Sequence, residues 1–392
     1  MRRQSGRKLR FGHGRSALGA GGGSDARIGR IAASRLARLA GTASPALDMK
    51  TRKPQKEAKS SGTITMLDVA EYAGVSAQTV SRVVGNSSLV AEKTRRRVEE
   101  AIQALRYIPN DAARSLASAS SRVVAVIIPT LSSSAFAAEV KGVIDALEPH
   151  KISVIIGNTE YSQAREEAIL QSLLERRPIG VILTGLQHSP KVRSLLQQSG
   201  VAVIETWDTD GDPIDMAVGF SNFTAGYDVG KLLCERGSKR IAFVGGGSAQ
   251  DSRAQSRYLG LCKAVKEAKL PDVHRVELSL PMSGNDGIRG LDEVLRDAPL
   301  TDAIFFSADT MALAAILECN RRGIRIPEQL AICGFGDYEL AAMVTPSLTT
   351  VRTQPDEMGA TAAQMLLARI SESGNAKHKV VLAHQLVRRG SA

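Results

Sequence analysis

From Val123 onward the chain alternates short β-branched runs with helical stretches, and this alternation restricts the fold more than any other property of the sequence. The runs are VVAVIIP (123–129), ISVIIGN (152–158), GVILTG (180–185), VAVIETW (201–207), RIAFVGG (240–246), AIFFSA (303–308) and LAICGFG (330–336). Helical stretches at 164–175, 224–236 and 310–322 lie between several of them. A parallel partner strand is reached only by a crossover, so this order predicts βαβ units and a parallel sheet. The near-continuous apolar character of the runs fits strands covered on both faces. The rhythm changes after Phe220, which predicts two doubly wound halves with a ligand cleft at the strand C-terminal ends.

A different pattern occupies residues 65–118, TMLDVAEYAGVSAQTVSRVVGNSSLVAEKTRRRVEEAIQALRYIPNDAARSLAS. Thr65 with Asp68 reads as a capping-box variant, so a helix should begin at about Met66, with Met66, Val69, Ala70 and Ala73 on one face. Gly74 ends it, and Ser76 caps a second helix from Ala77 to about Val84 that buries Val80 with Val83 or Val84. A third helix, roughly 92–105, buries Val98, Ala101, Ile102 and Leu105 behind a cap position, Ala91, that lacks a side-chain acceptor. Two short helices joined by a tight Gly-containing turn form a helix-turn-helix, whose second helix leads into the major groove with its N-terminal residues. Gln78 can pair with adenine and Arg82 with guanine, while Ala77 can only pack on a thymine methyl. Ser76, Thr79, Ser81 and the basic group at 93–97, Lys93 and Arg95 among them, are expected on phosphates.

Bulk charge adds little to this case. Of the net +11, residues 1–48 carry +8 and 49–60 carry +4, whereas 61–121 carry +1 and 122–392 carry −2. The extension at 1–60, rich in Arg, Gly, Ser and Ala, is expected to be disordered. It is read as a start site assigned upstream of Met49, against a basic arm that helps hold DNA or a basic amphipathic transit helix. Cys234, Cys262, Cys319 and Cys333 are far apart and form no CxxC pair, which fits buried thiols in a reducing cytoplasm. No apolar run approaches the roughly 20 residues that cross a bilayer, so no membrane partner is expected.

The signature DVAxxAGVSxxTVSRVV resembles the headpiece of the LacI/GalR family of bacterial repressors, and the resemblance runs from about Thr65 to the end of the chain. It implies an all-α helix-turn-helix head (61–109), a hinge helix and linker (110–121), and an α/β periplasmic-binding-protein-like core (122–392) of two doubly wound parallel-sheet subdomains. The N-subdomain is expected at 122–221 and 351–380, the C-subdomain at 222–350 and 381–392. The resemblance further implies a homodimer on a pseudo-palindromic double-stranded DNA operator. It places Ala77, Gln78 and Arg82 on base-reading positions and Leu116 on the wedge that enters the minor groove. Asn110, which can cap the hinge helix, and Ala113 join it on the DNA side. A helix of about seven residues does not persist alone in water, so it should fold on binding.

In the core the resemblance implies a sensor. Phe136, Asn158, Glu205 and Asn222 follow or end strands at the cleft, and Arg257 matches the family arginine three residues before a glycine. Asp309 and Asp337 complete the candidate set, preceded by Ala308 and Gly336 where many members carry a polar residue. Loss of that polar group points away from a simple neutral sugar, and the strings VGFSNF, GFGDYELA and TPSLTTV resemble the gluconate-utilisation branch, so a sugar acid is expected, with a neutral sugar as the alternative effector. An enzyme is not expected: FVGGGSAQ lacks both GxGxxG and GxxxxGK[ST] spacing, no metal-ligand cluster or nucleophile elbow is present, and no cofactor is implied. A solute-binding protein would match only the core.

Overall fold

The computed structural model describes residues 64–85, 89–108, 121–247, 249–371 and 378–392, in two compact units that divide after Tyr107. The first contains helices α1 (Met66–Ala73), α2 (Ala77–Val84) and α3 (Glu92–Leu105). The Asp68 carboxylate accepts from the Thr65 backbone N–H at 2.8 Å while the Thr65 hydroxyl accepts from the Asp68 N–H, closing the capping box. Gly74 ends α1 at φ +60°, in the left-handed conformation that only glycine adopts without steric cost. The Ser76 hydroxyl accepts from the Thr79 N–H at 3.2 Å to start α2, and α3 begins at Ala91 without a side-chain cap. Val69, Val80 and Val98, one from each helix, are fully buried together with Ala101. Each buried valine stabilises this small core by about 1.5–3 kcal/mol.

The second unit is built from two halves of the same strand order. The first half contains β1 (Val123–Ile128), α4 (Ser134–Leu147), β2 (Ser153–Asn158), α5 (Gln163–Leu174), β3 (Gly180–Thr184), α6 (Pro190–Ser199), β4 (Ala202–Thr206) and β5 (Met216–Gly219). The second contains α7 (Asn222–Arg236), β6 (Ile241–Gly246), α8 (Ser252–Glu267), β7 (His274–Leu278), α9 (Gly284–Asp297), β8 (Ala303–Phe306), α10 (Asp309–Arg322), β9 (Ala331–Gly336) and β10 (Thr349–Arg352). The chain then returns to the first half as α11 (Pro355–Ser371) and β11 (Lys379–Val381), and crosses once more for β12 (Gln385–Val387).

One sheet runs β2-β1-β3-β4-β5-β11, parallel throughout; the other runs β7-β6-β8-β9-β10-β12, with only β12 antiparallel. Along β1, Val124, Val126 and Ile128 enter one buried cluster and Ala125 and Ile127 another, so the sheet is covered on both faces as its apolar strands require. The strand order reverses between β1 and β3 and again between β6 and β8. Crevices at such reversals, outside the strand C-termini, are where open α/β sheets take ligands.

Helix pairs close these halves through glycine. A Cβ on Gly226 of α7 would stand 1.9 Å from the Arg257 carbonyl oxygen of α8, and one on Gly260 of α8 would stand 2.0 Å from the Phe223 carbonyl oxygen. The two backbones therefore touch, which carries the side chain of Arg257 up to the start of α7.

Candidate functional site

In the helical unit, α2 divides cleanly into two faces. Val80 and Val83 are buried, and Ala77 and Val84 pack partly against the same core. Gln78, Ser81 and Arg82, spaced i, i+3 and i+4, form an exposed stripe on the other side. Ser76 and Thr79 hydroxyls lie 2.9 Å apart and hold the start of the helix. Lys93 is exposed and Arg95 half-buried at the start of α3. One member of the basic group at 93–97 is placed differently from expectation: Arg97 donates from Nη2 to the Ala73 carbonyl at 2.5 Å and so satisfies the open end of α1. Asn110, Ala113 and Leu116 lie outside the described residues.

In the larger unit, Phe136, Asn222 and Arg257 come together between the halves. Arg257 Nη1 donates to Asn222 Oδ1 at 2.5 Å and Nη2 to the Ser307 carbonyl at 3.4 Å, with the guanidinium 4.2 Å from the Phe335 ring centroid. Asn222 Nδ2 donates to the Trp207 carbonyl at 2.8 Å, and the Trp207 ring meets Phe136 edge-on at 5.1 Å. Burial lowers the Arg257 guanidinium to about 10, which leaves it charged at neutral pH. Arg257 Nε and Ser307 Oγ are buried without a hydrogen-bond partner among the described residues.

Sequence reasoning missed the companion cation, Arg253. It lies four residues before Arg257 on α8, a spacing that sets both on one face and that the string SRAQSR already displays. Its guanidinium stands 5.4 Å from the Phe136 ring centroid and 3.7 Å from Asp251 Oδ1. Beside it a cavity of about 80 Å³ opens between the halves, walled by Tyr161, Glu166 and Gly185 on one side and by Gln250, Asp251 and Arg253 on the other. Pro129 and Thr184, which follow β1 and end β3, place this cavity at the first sheet's reversal point. Burial also raises the carboxyls of Glu139 and Asp208 nearby, and Glu139 Oε2 accepts from Trp207 Nε1 at 2.5 Å.

The other four expected ligand residues have different partners. Asn158 donates to Glu160 Oε1 at 2.5 Å. Glu205 shares the sheet face of Val203, because strand side chains alternate, and its Oε2 accepts from the Ile214 N–H at 2.5 Å. Asp309 accepts from the Thr350 hydroxyl at 2.6 Å and the Tyr338 N–H at 2.8 Å, with burial raising its carboxyl to about 6. Asp337 is bound by Arg352 Nε at 2.5 Å and Arg389 Nη2 at 2.6 Å. The structure thus spends both aspartates on joining strand ends rather than on facing the cavity.

Backbone strain falls at two kinds of place: Arg106, Lys151, Arg177 and Lys269 have positive φ where helices end, and Glu160, Tyr161, Trp207 and Asp337 have it just beyond β2, β4 and β9. Such conformations cost about 1–3 kcal/mol each and gather at ligand clamps.

Residues 65–110 match the family model described as bacterial regulatory proteins, lacI family, and residues 231–392 match the periplasmic binding protein-like domain. The chain is 34% identical to the HTH-type transcriptional regulator GntR of Pseudomonas aeruginosa, over 82% of this chain and 94% of that protein. It is 32% identical to the HTH-type transcriptional regulator IdnR of Escherichia coli K12, over 82% and 97%. Among solved structures, the lac repressor dimer bound to operator and the anti-inducer ONPF superposes with a TM-score of 0.74 at 26% identity, covering 84% of this chain and 99% of that one.

Proposed function

From the premise that the chain belongs to the LacI family of bacterial transcriptional regulators, we propose that it is a repressor whose operator affinity is set by a sugar acid bound between the two halves of its core. DNA binding and regulation by a small molecule in the periplasmic-binding-like region follow from the family. The effector class rests on one observation: Arg253 and Arg257 stand on one face of α8 at the cleft, and Arg257 keeps a buried donor without a partner among the described residues. A buried unsatisfied donor costs roughly 1–3 kcal/mol, and a carboxylate is the partner that a guanidinium fork suits best.

On the DNA side, Gln78 and Arg82 read bases, with Ala77 against a thymine methyl. Ser76, Thr79, Ser81, Lys93 and Arg95 contact phosphates, and Asn110, Ala113 and Leu116 form the hinge contact. The similar lac repressor is a dimer on its operator, which supports a homodimer on a pseudo-palindrome here. Effector closure of the cleft shifts the halves and releases DNA, a coupling between two sites of the usual allosteric kind.

Titration calorimetry with gluconate, 6-phosphogluconate and neutral hexoses tests the effector class; binding of neutral hexoses alone would overturn it. Selection of bound DNA from random sequence, with and without the ligand that binds, gives the operator and the sign of regulation. Tighter DNA binding in the presence of ligand would contradict release.

A further inference from the structure

Across the cavity from Arg253, Glu166 begins a chain of three ionisable side chains. His188, whose side chain is 1% exposed, lies with Nδ1 2.7 Å from Glu166 Oε1 and Nε2 3.0 Å from the Gly185 carbonyl oxygen. Glu205 Oε1 stands 3.3 Å from the same Nε2. Both ring nitrogens therefore face only acceptors. A neutral imidazole has one N–H and would set its lone pair against an oxygen; the imidazolium donates on both sides. Burial opposes that charge, but Glu166 and Glu205 outweigh it and raise the imidazole to about 9. One oxygen of Glu166 is spent on His188, no hydrogen bond occupies the other among the described residues, and the residue lines the cavity.

We propose that Glu166, fixed in place by its hydrogen bond to His188, is the hydroxyl acceptor of the cleft, taking hydrogen bonds from a polyhydroxylated effector whose far end faces the arginines of α8. His188 is the positioning residue and does not touch the ligand. The inference rests on the cleft being the effector site and deepens it, because it orients the ligand. An anionic group beside Glu166 would be repelled, so the acidic end must lie toward α8 and the polyol chain toward α5. The same imidazole also gives the buried Glu205 side chain a polar neighbour on an otherwise apolar sheet face.

Calorimetry on the full chain with gluconate, 6-phosphogluconate and glucose, for wild type, Glu166→Gln, His188→Gln and Arg253→Gln, tests this assignment. Glu166→Gln should weaken the hydroxylated ligand that binds by tenfold or more, and His188→Gln should weaken the same ligand. Unchanged affinity in Glu166→Gln overturns the hydroxyl-acceptor role while leaving the sugar-acid reading in place. Binding of glucose alone, lost in Glu166→Gln and kept in Arg253→Gln, overturns the sugar-acid reading and sustains this one. Binding of none of the three overturns both. If His188→Gln does not fold, nitrogen NMR of the wild-type imidazole at pH 7 decides: two protonated ring nitrogens are expected, and a neutral ring overturns the positioning role.

Discussion

Arg82 and Lys93 carry positive charge on the same small helical unit, yet they are expected to do different things. Arg82 belongs to the exposed stripe of α2, one turn after Gln78, whereas Lys93 opens α3. Arg82→Ala should weaken operator binding and relax preference at the base pair it reads by about 1–3 kcal/mol. Lys93→Ala should lower affinity almost uniformly and reduce the salt slope by about 1. Competition between operator variants at several salt concentrations separates the two, and equal loss of specificity in both variants sinks the assignment. Arg97 has a third role, since its guanidinium closes the C-terminus of α1. Arg97→Ala should destabilise the head by about 1 kcal/mol. Denaturant melts of the full chain, monitored by far-ultraviolet dichroism, check this; an unshifted first transition would show that the contact contributes nothing.

At the scale of elements, the α7–α8 pair holds Arg257 in place. Gly226→Ala puts a methyl group against the Arg257 carbonyl oxygen, so the helices must separate. Overpacking of this kind costs about 1–3 kcal/mol or more, and here the moving backbone belongs to Arg257 itself. A lower melting temperature together with weaker effector binding is expected; normal affinity in a folded Gly226→Ala protein would show that Arg257 does not depend on this contact. The same pair illustrates what a reader of the sequence can see. Caps at Thr65 and Ser76, the stop at Gly74 and the long apolar strands are local, and all occur where their residues predict. β5, β7, β10, β11 and β12 escaped notice because runs of three to five residues, with polar groups interspersed in all but β5, carry too little pattern. That Phe136, Asn222 and Arg257 meet between the halves was legible from their places after strands and from RYLG. The roles of Asp309 and Asp337 were not, since their partners Thr350, Arg352 and Arg389 are remote in sequence. His188 likewise meets Glu166 and Glu205 only through the fold, which its place in the sequence does not display.

For the molecule as a whole, the His188 cation ties stability to pH. Glu166 on α5 and Glu205 on β4 are the charged groups that face it, while neighbouring Glu167 is turned to Ser189 and Lys191. An unfolded imidazole titrates near 6.5, so this contribution is complete below that pH and is lost as pH rises through about 9. The loss is on the order of 3 kcal/mol. Asp309, raised to about 6, titrates below this window. Melting temperatures of the wild type should therefore fall between pH 7 and pH 9.5, and the fall should be shallower in His188→Gln; parallel slopes would remove His188 from the account.

The chain passes between the halves after β5, after β10 and after β11, and α11 supplies cover for β4 and α4 on the half that began first. During synthesis this order has a cost in time. Five strands of the first sheet are spelled out by Gly219, but its closing helix and its edge strand reach it only after β6 to β10 of the second half have left the ribosome. Until then it waits with a bare apolar flank, so the nascent protein should depend on chaperones most while residues 220–354 are being made.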